Sequence, residues 1–189
     1  MTVPTPRIPL LSAEEAAVRA DEAGIPAQLA ELNVFRALLH LPTAAKAVND
    51  LLLSMLFGGA LDDRLRELVI MRIGWATGSE YEWAQHWAVA QDPFGCSPDD
   101  LLSVRDWQDA EGLGETERAV LAATDETLAS GAASEATMAH CRELLGSDEA
   151  VVELVLAIGA WRTISQLARS LDIPLEDGVA SWPPDGAAG

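Results

Sequence analysis

Residues Arg64 to Ala90 read RLRELVIMRIGWATGSEYEWAQHWAVA. Leu65, Leu68, Val69 and Ile73 recur at helical spacing and form an apolar stripe. Gly78-Ser79 then interrupts the pattern, since glycine ends helices and serine starts them. The stretch is two helices joined by a tight turn. Glu80 and Glu82 fall in the first turn of the second helix, where the helix dipole favours anions. Glu82 and His86 stand four residues apart and share a face. Glu67 lies near the middle of the first helix. Two carboxylates and an imidazole that meet across a helix pair can form a proton-transfer site.

Outward from this pair the chain reads as helix nearly throughout. Ser12-Ala13-Glu14-Glu15 is a capping box, opening a helix to about Ala23 that Gly24 ends. Pro26 suits the first turn of a second helix through Leu39. Pro42 starts a third, to Phe57, broken by Gly58-Gly59. The fourth runs from Leu61 to Ala76, and Ser79 caps the fifth. Ser97-Pro98-Asp99-Asp100 starts a sixth, to about Asp109. Glu115 to Ala129, Ser134 to Gly146 and Asp148 to Ser170 complete the set. No segment alternates like a strand with hairpin turns. The expected fold is all-α, one helical bundle over residues 1–189. An N-terminal arm reaches about residue 11, and an irregular Pro-, Gly- and Ala-rich tail begins about residue 172.

The composition, 49% hydrophobic and 22% charged, is ordinary for a globular chain. No apolar run approaches the roughly 20 residues that span a bilayer. Leu51 to Leu61 and Val151 to Trp161 read as core helices. The start, MTVPTPRIPLLS, lacks the basic opening and long apolar segment of a signal peptide, so a cytoplasmic location is expected. The net charge of −18 argues against nucleic acid or an anionic membrane as partner. An anionic substrate would have to find local cations among only 12 Lys and Arg. Cys96 and Cys141 are far apart, without CxxC spacing, and read as free thiols in a reducing compartment. Two cysteines and three histidines so scattered make no zinc pattern, and no metal is expected.

Several pieces occur in a telling order. Asn33-Val34-Phe35-Arg36-Ala37-Leu38 precedes His40 and Pro42. Leu56-Phe57-Gly58-Gly59, the RLRELVIMR run and Ser79-Glu80-Tyr81-Glu82-Trp83-Ala84-Gln85-His86 follow. A late apolar helix then leads into Ala168-Arg169-Ser170-Leu171. Together, from about Ile25 to Gly178, they resemble the carboxymuconolactone decarboxylase and alkylhydroperoxidase-D superfamily. The resemblance implies that superfamily's helical fold and assembly as trimers, or hexamers built of them. It does not fix a substrate, because one fold hosts several chemistries.

The peroxidase branch carries a CxxC with His four residues after the second Cys, and a Glu on the preceding helix. Aligned on His86, those cysteine positions hold Ser79 and Glu82, and the Glu falls on Glu67. A thiol mechanism needs an attacking and a resolving sulfur, and both are absent. The decarboxylase branch carries Glu-x-x-x-His at this place, here Glu82 to His86. The resemblance thus implies a cofactor-free acid–base enzyme for a small carboxylated or lactone-like compound. His86, Glu82 and Glu67 are its expected catalytic residues. A solvated Glu–His pair and an Arg64–Arg66–Glu67 surface network are the alternatives.

A substrate carboxylate needs a cation. Arg72 interrupts an apolar face and is the leading candidate; His40, before Pro42, is another. Arg162, in the apolar last helix, would need a partner if buried. Ser79 and Trp83 are expected to line the substrate site, with Trp75 and Trp87 walling an apolar pocket or simply packing in the core. The last helix is apolar on more than one face. Either it is central in one subunit, or a homo-oligomer, trimer or hexamer, covers part of it.

Overall fold

Ser12, Ser97, Ser134 and Ser147 each accept a hydrogen bond from an amide in the first turn of the helix they precede. Gly24, Gly78, Gly131 and Gly146 end helices in the left-handed conformation. This punctuation cuts the chain as its sequence suggests. In a computed structural model, which describes residues 5–189, the elements are α1 (Ala13–Ala23), α2 (Ala27–Ala30), α3 (Asn33–Leu38), α4 (Pro42–Gly58), α5 (Asp63–Thr77), α6 (Glu80–Gln91), α7 (Pro98–Ser103), a 3-10 turn (Val104–Asp106), α8 (Glu115–Ser130), α9 (Glu135–Leu145) and α10 (Asp148–Leu171). The fold is all-α, with no strand among the described residues.

Two expected helices are shorter than their sequence pattern. The one through Leu39 breaks at Leu32, which is extended. The amide of Asn33 donates instead to the Glu176 carboxylate at 2.6 Å, so a residue 143 positions away caps α3. The helix to Asp109 stops at Ser103. Its carbonyls are drawn off by two arginines. Arg72 takes those of Val104 and Arg105, at 2.9 and 3.1 Å. Arg118 takes those of Trp107, Gln108 and Ala110. The chain leaves α7 through the 3-10 turn, and the two guanidiniums satisfy the carbonyls that follow.

α5 is the central element, packed on α6, α8 and α10. Leu68, Val69, Ile70, Met71 and Ile73 are fully buried. Each such side chain contributes about 1.5–3 kcal/mol. α10 bridges two core clusters. Leu154, Ala157, Ile158 and Trp161 join the one around α5; Ile164 and Ala168 join the one formed by α1 to α4. It is long and apolar enough to cross a membrane, but here it packs against α4, α5, α6, α8 and α9. Val152, Val155 and Leu156 are left exposed along one side of it.

Of the expected N-terminal arm, residues 1–4 lie outside the described residues. The rest is pinned: the Arg7 amide donates to the Leu171 carbonyl, and Leu11 is buried. The tail is irregular as expected, yet it is packed. Trp182 is buried against Trp75 and Trp83, and the Trp83 indole donates to the Pro183 carbonyl at 2.7 Å.

Candidate active site

α5 and α6 meet closely because Gly74 has no side chain. A Cβ there would lie 3.1 Å from the Trp83 amide nitrogen. Gly78, at φ 64°, makes the turn between them. Glu67 lies seven residues before Gly74, two turns back on the same face of α5. It therefore points at α6, where Glu82 and His86 stand one above the other.

The three residues converge. His86 Nδ1 is 2.8 Å from Glu67 Oε2, and His86 Nε2 is 3.4 Å from Glu82 Oε1. The Trp161 indole, from α10, donates to His86 Nε2 at 3.0 Å. An indole N–H can only donate, so Nε2 accepts, and the ring proton sits on Nδ1 and is given to Glu67. Behind Glu67 stands Arg66, itself fully buried. Its Nε donates to Glu67 Oε1 at 3.2 Å, and its Nη1 to Asp63 and to the Met55 carbonyl. Arg66 and Glu67 are thus no surface network; Arg64 pairs elsewhere, with Asp100 and Glu117.

Burial sets the electrostatics. It pushes the Glu82 carboxyl up to about 7, against the pull of His86 and with help from the Glu67 charge. For His86 burial works downward, but the charge and hydrogen bond of Glu67 outweigh it, and its pKa is raised. A second proton on Nε2 would face the Trp161 N–H. Burial thus favours a protonated Glu82, while Glu67, backed by Arg66, favours a proton on His86. Glu82 Oε2 is buried with no partner and is the oxygen free to donate. Carbon-13 NMR should find Glu82 titrating near 7 rather than at the usual 4.5, and Glu67→Gln should lower that midpoint by removing a like charge. The folded chain holds this proton to higher pH than the unfolded chain does. Its contribution to stability is therefore complete below about 4.5 and lost as pH rises through 7. A midpoint of 4.5 would remove Glu82 as a donor at neutral pH.

The other candidates lie apart from the trio. Arg72 is committed to a bidentate pair with Asp125, at 2.6 and 2.8 Å. His40 meets the Pro9 carbonyl at 2.9 Å on an exposed turn. Trp83 is fully buried and packs with Trp75, Trp87 and Trp182. Ser79 is buried at the start of α6, and its hydroxyl neither caps the helix nor finds another partner. It lines a cavity of about 730 Å³ between the α5–α6 turn and the end of α10. Glu67, Glu82 and His86 are not in that lining, which includes Ser79, Glu80 and Tyr81 just before Glu82 on the chain. Of the trio, His86 is the most open, with 13% of its side chain exposed. Trp161 was not legible as a site residue. Arg66 had a signal, since it shares a helix face with Ile70 and Ile73, where a charge has to be buried and paired.

Comparison with known proteins follows this geometry. Residues 42–126 match the model of the carboxymuconolactone decarboxylase family. That span holds α4, α5 and α6, and so Glu67, Glu82 and His86 but not Trp161. Over that span, a little under half of its length, the chain is similar to that family. Among solved structures, an uncharacterised peroxidase-related protein with an alkylhydroperoxidase AhpD core from Ralstonia eutropha superposes with TM-score 0.73 at 21% identity, over 93% of this chain and 95% of its own. A protein of unknown function from Agrobacterium tumefaciens, described as a putative antioxidant defence protein AhpD, gives 0.63 at 26% identity, over 70% of this chain and 90% of its own. An uncharacterised peroxidase-related protein from a Silicibacter species gives 0.73 at 17%, over 95% and 97%. No match was found among curated proteins. This chain carries Ser79 just before α6 and Glu82 in its first turn, and no cysteine on that helix.

Proposed function

We propose that the protein is a cofactor-free acid–base enzyme that acts on a small carboxylated or lactone-like compound, in the manner of a decarboxylase. The observation that carries this reading is the convergence of Glu67, His86 and Glu82, with an unpartnered Glu82 oxygen. In a decarboxylation the bond to the carboxylate carbon breaks and carbon dioxide leaves. Its electron pair passes into the lactone carbonyl as an enolate. Glu82 then delivers a proton to the carbon, and His86, steadied by Glu67, returns one to Glu82 from solvent. A screen of lactone carboxylates, with and without peroxide and a dithiol, tests it. Turnover without peroxide or thiol supports the reading, and dithiol-dependent peroxide reduction alone contradicts it.

The alternative is a peroxidase, since two of the similar structures are peroxidase-related proteins. Thiol chemistry would fall to Cys96 or Cys141, both buried. Burial pushes the Cys96 thiol up to about 12, and it also raises Cys141. Neither supplies a thiolate at neutral pH. Cys96→Ser and Cys141→Ser should each leave turnover within about twofold, the scale of a change that touches no reacting group. Abolished turnover in either would restore the thiol reading.

The proposal includes a cytoplasmic homo-oligomer, trimer or hexamer, covering Val152, Val155 and Leu156. Light scattering should give a multiple of the chain mass, and Val155→Glu should reduce it, since a charge in an apolar contact is left unpaired. A monomer at micromolar concentration would overturn this part.

A further inference from the structure

The cavity that Ser79 lines is rich in arginine for so acidic a chain. Arg7, Arg162 and Arg169 stand around it, in a sequence with 12 Lys and Arg against 30 Asp and Glu. Arg7 is taken, by Asp172 at 2.7 Å and by the Ser170 carbonyl. Arg162 has one long contact, 3.5 Å to the Thr127 carbonyl. The Arg169 side chain has neither an ion pair nor a hydrogen bond among the described residues. The acids at the rim are Asp172, already paired, and Glu80, which accepts from the Ser181 hydroxyl.

Ser79 and Ser165 supply the second observation. Both are at most 1% exposed, both line the cavity, and neither hydroxyl has a partner. A buried hydroxyl left unpaired is destabilising. Two at one cavity call for an occupant that accepts hydrogen bonds. The first turn of α6 adds to them. Its leading amides have no acceptor within the helix, and Ser79 does not cap them. They present the positive end of a 12-residue helix to the same space.

We infer that this cavity binds the oxyanion group of a small organic acid, carboxylate or phosphate, through Arg162, Arg169, the Ser79 and Ser165 hydroxyls and the first-turn amides of α6. The inference rests on the proposed function for what the anion is for. Ser79 lies three residues from Glu82 on α6, and Ser165 four from Trp161 on α10. Each serine thus stands about one helical turn along its helix from Glu82 or from Trp161, which holds His86. The group held there is the anchoring end of the substrate. Arg72 and His40, which looked suited to that task in the sequence, are occupied elsewhere.

The test is calorimetric titration of the full chain with inorganic phosphate and, separately, with benzoate; the two arms distinguish phosphate from carboxylate. At least one should bind saturably. Arg162→Gln/Arg169→Gln should weaken it at least tenfold. Both positions are exposed, so the variant should fold and keep its melting temperature. Arg142→Gln, which removes a charge from an exposed pair with Asp148, should bind as wild type does. His86→Gln should keep the anion while losing turnover, which separates this inference from the proposed function. With a substrate in hand, the double arginine variant should raise KM more than it lowers kcat. No saturable binding of either anion, or equal binding in the double variant, overturns the inference. So does lost anion binding with an unchanged KM, which would detach the cavity from the trio.

Discussion

His86→Gln and Glu82→Gln should each lower turnover by about a hundredfold or more, the usual scale for a lost general acid or base. Glutamine in place of His86 keeps a hydrogen-bonding side chain but cannot titrate. In place of Glu82 it keeps the shape and loses the proton held to about pH 7. The double variant should cost little beyond the worse single one, because residues that act as one unit are not additive. Steady-state rates on any accepted substrate check this. Near-wild-type rates in both single variants would leave the trio a structural network. Trp161→Phe separates the parts of the account further. It keeps the aromatic packing and frees His86 Nε2, so it should move the pH profile more than it moves stability.

Arg66→Met should be the most destabilising of these changes, by about 3–5 kcal/mol, the cost of breaking a buried ion pair from one side. Arg66 is fully buried and serves Glu67, Asp63 and the Met55 carbonyl, with its guanidinium 4.4 Å from the centre of the Phe94 ring. Without it Glu67 keeps only the His86 proton. Arg66→Met/Glu67→Leu should recover part of the loss, because replacing both partners removes the stranded charge. That double variant should still be inactive, since His86 then has no partner at Nδ1. Urea unfolding measures both. A loss under 1 kcal/mol for Arg66→Met would mean that Arg66 and Glu67 do not act as a buried ion pair.

Much of this arrangement was legible in the sequence, and the reason is local. The Gly78 turn, the helix period on either side of it and the Glu82–His86 spacing depend on neighbours in the chain. So did most helix boundaries, which serine and glycine mark. What was not legible depends on partners far away in sequence. Glu176 caps α3 from the tail, and no propensity within residues 26–39 announces it. Arg72 and Arg118 hold the carbonyls beyond α7 from other parts of the chain. Trp161 read as interface or core, and only folding brings its N–H to His86 from 75 residues away. Arg72 looked like an anion ligand because it broke an apolar stripe, yet the interruption is answered by Asp125 on α8. The cations that remain at a cavity are Arg162 and Arg169, both on exposed positions of α10, and which of the arginines stay unpaired depends on the folded neighbours.

The most direct test of the trio is hydrogen exchange at carbon, because it needs no complete reaction. A panel of lactones and carboxylic acids with a C–H beside the carbonyl is incubated in heavy water with the protein and followed by proton NMR. The account predicts that at least one compound exchanges that hydrogen for deuterium well above the buffer rate. It predicts that Glu82→Gln and His86→Gln bring the rate down to buffer. Exchange no faster than buffer with the wild type, or equally fast in both variants, would contradict it.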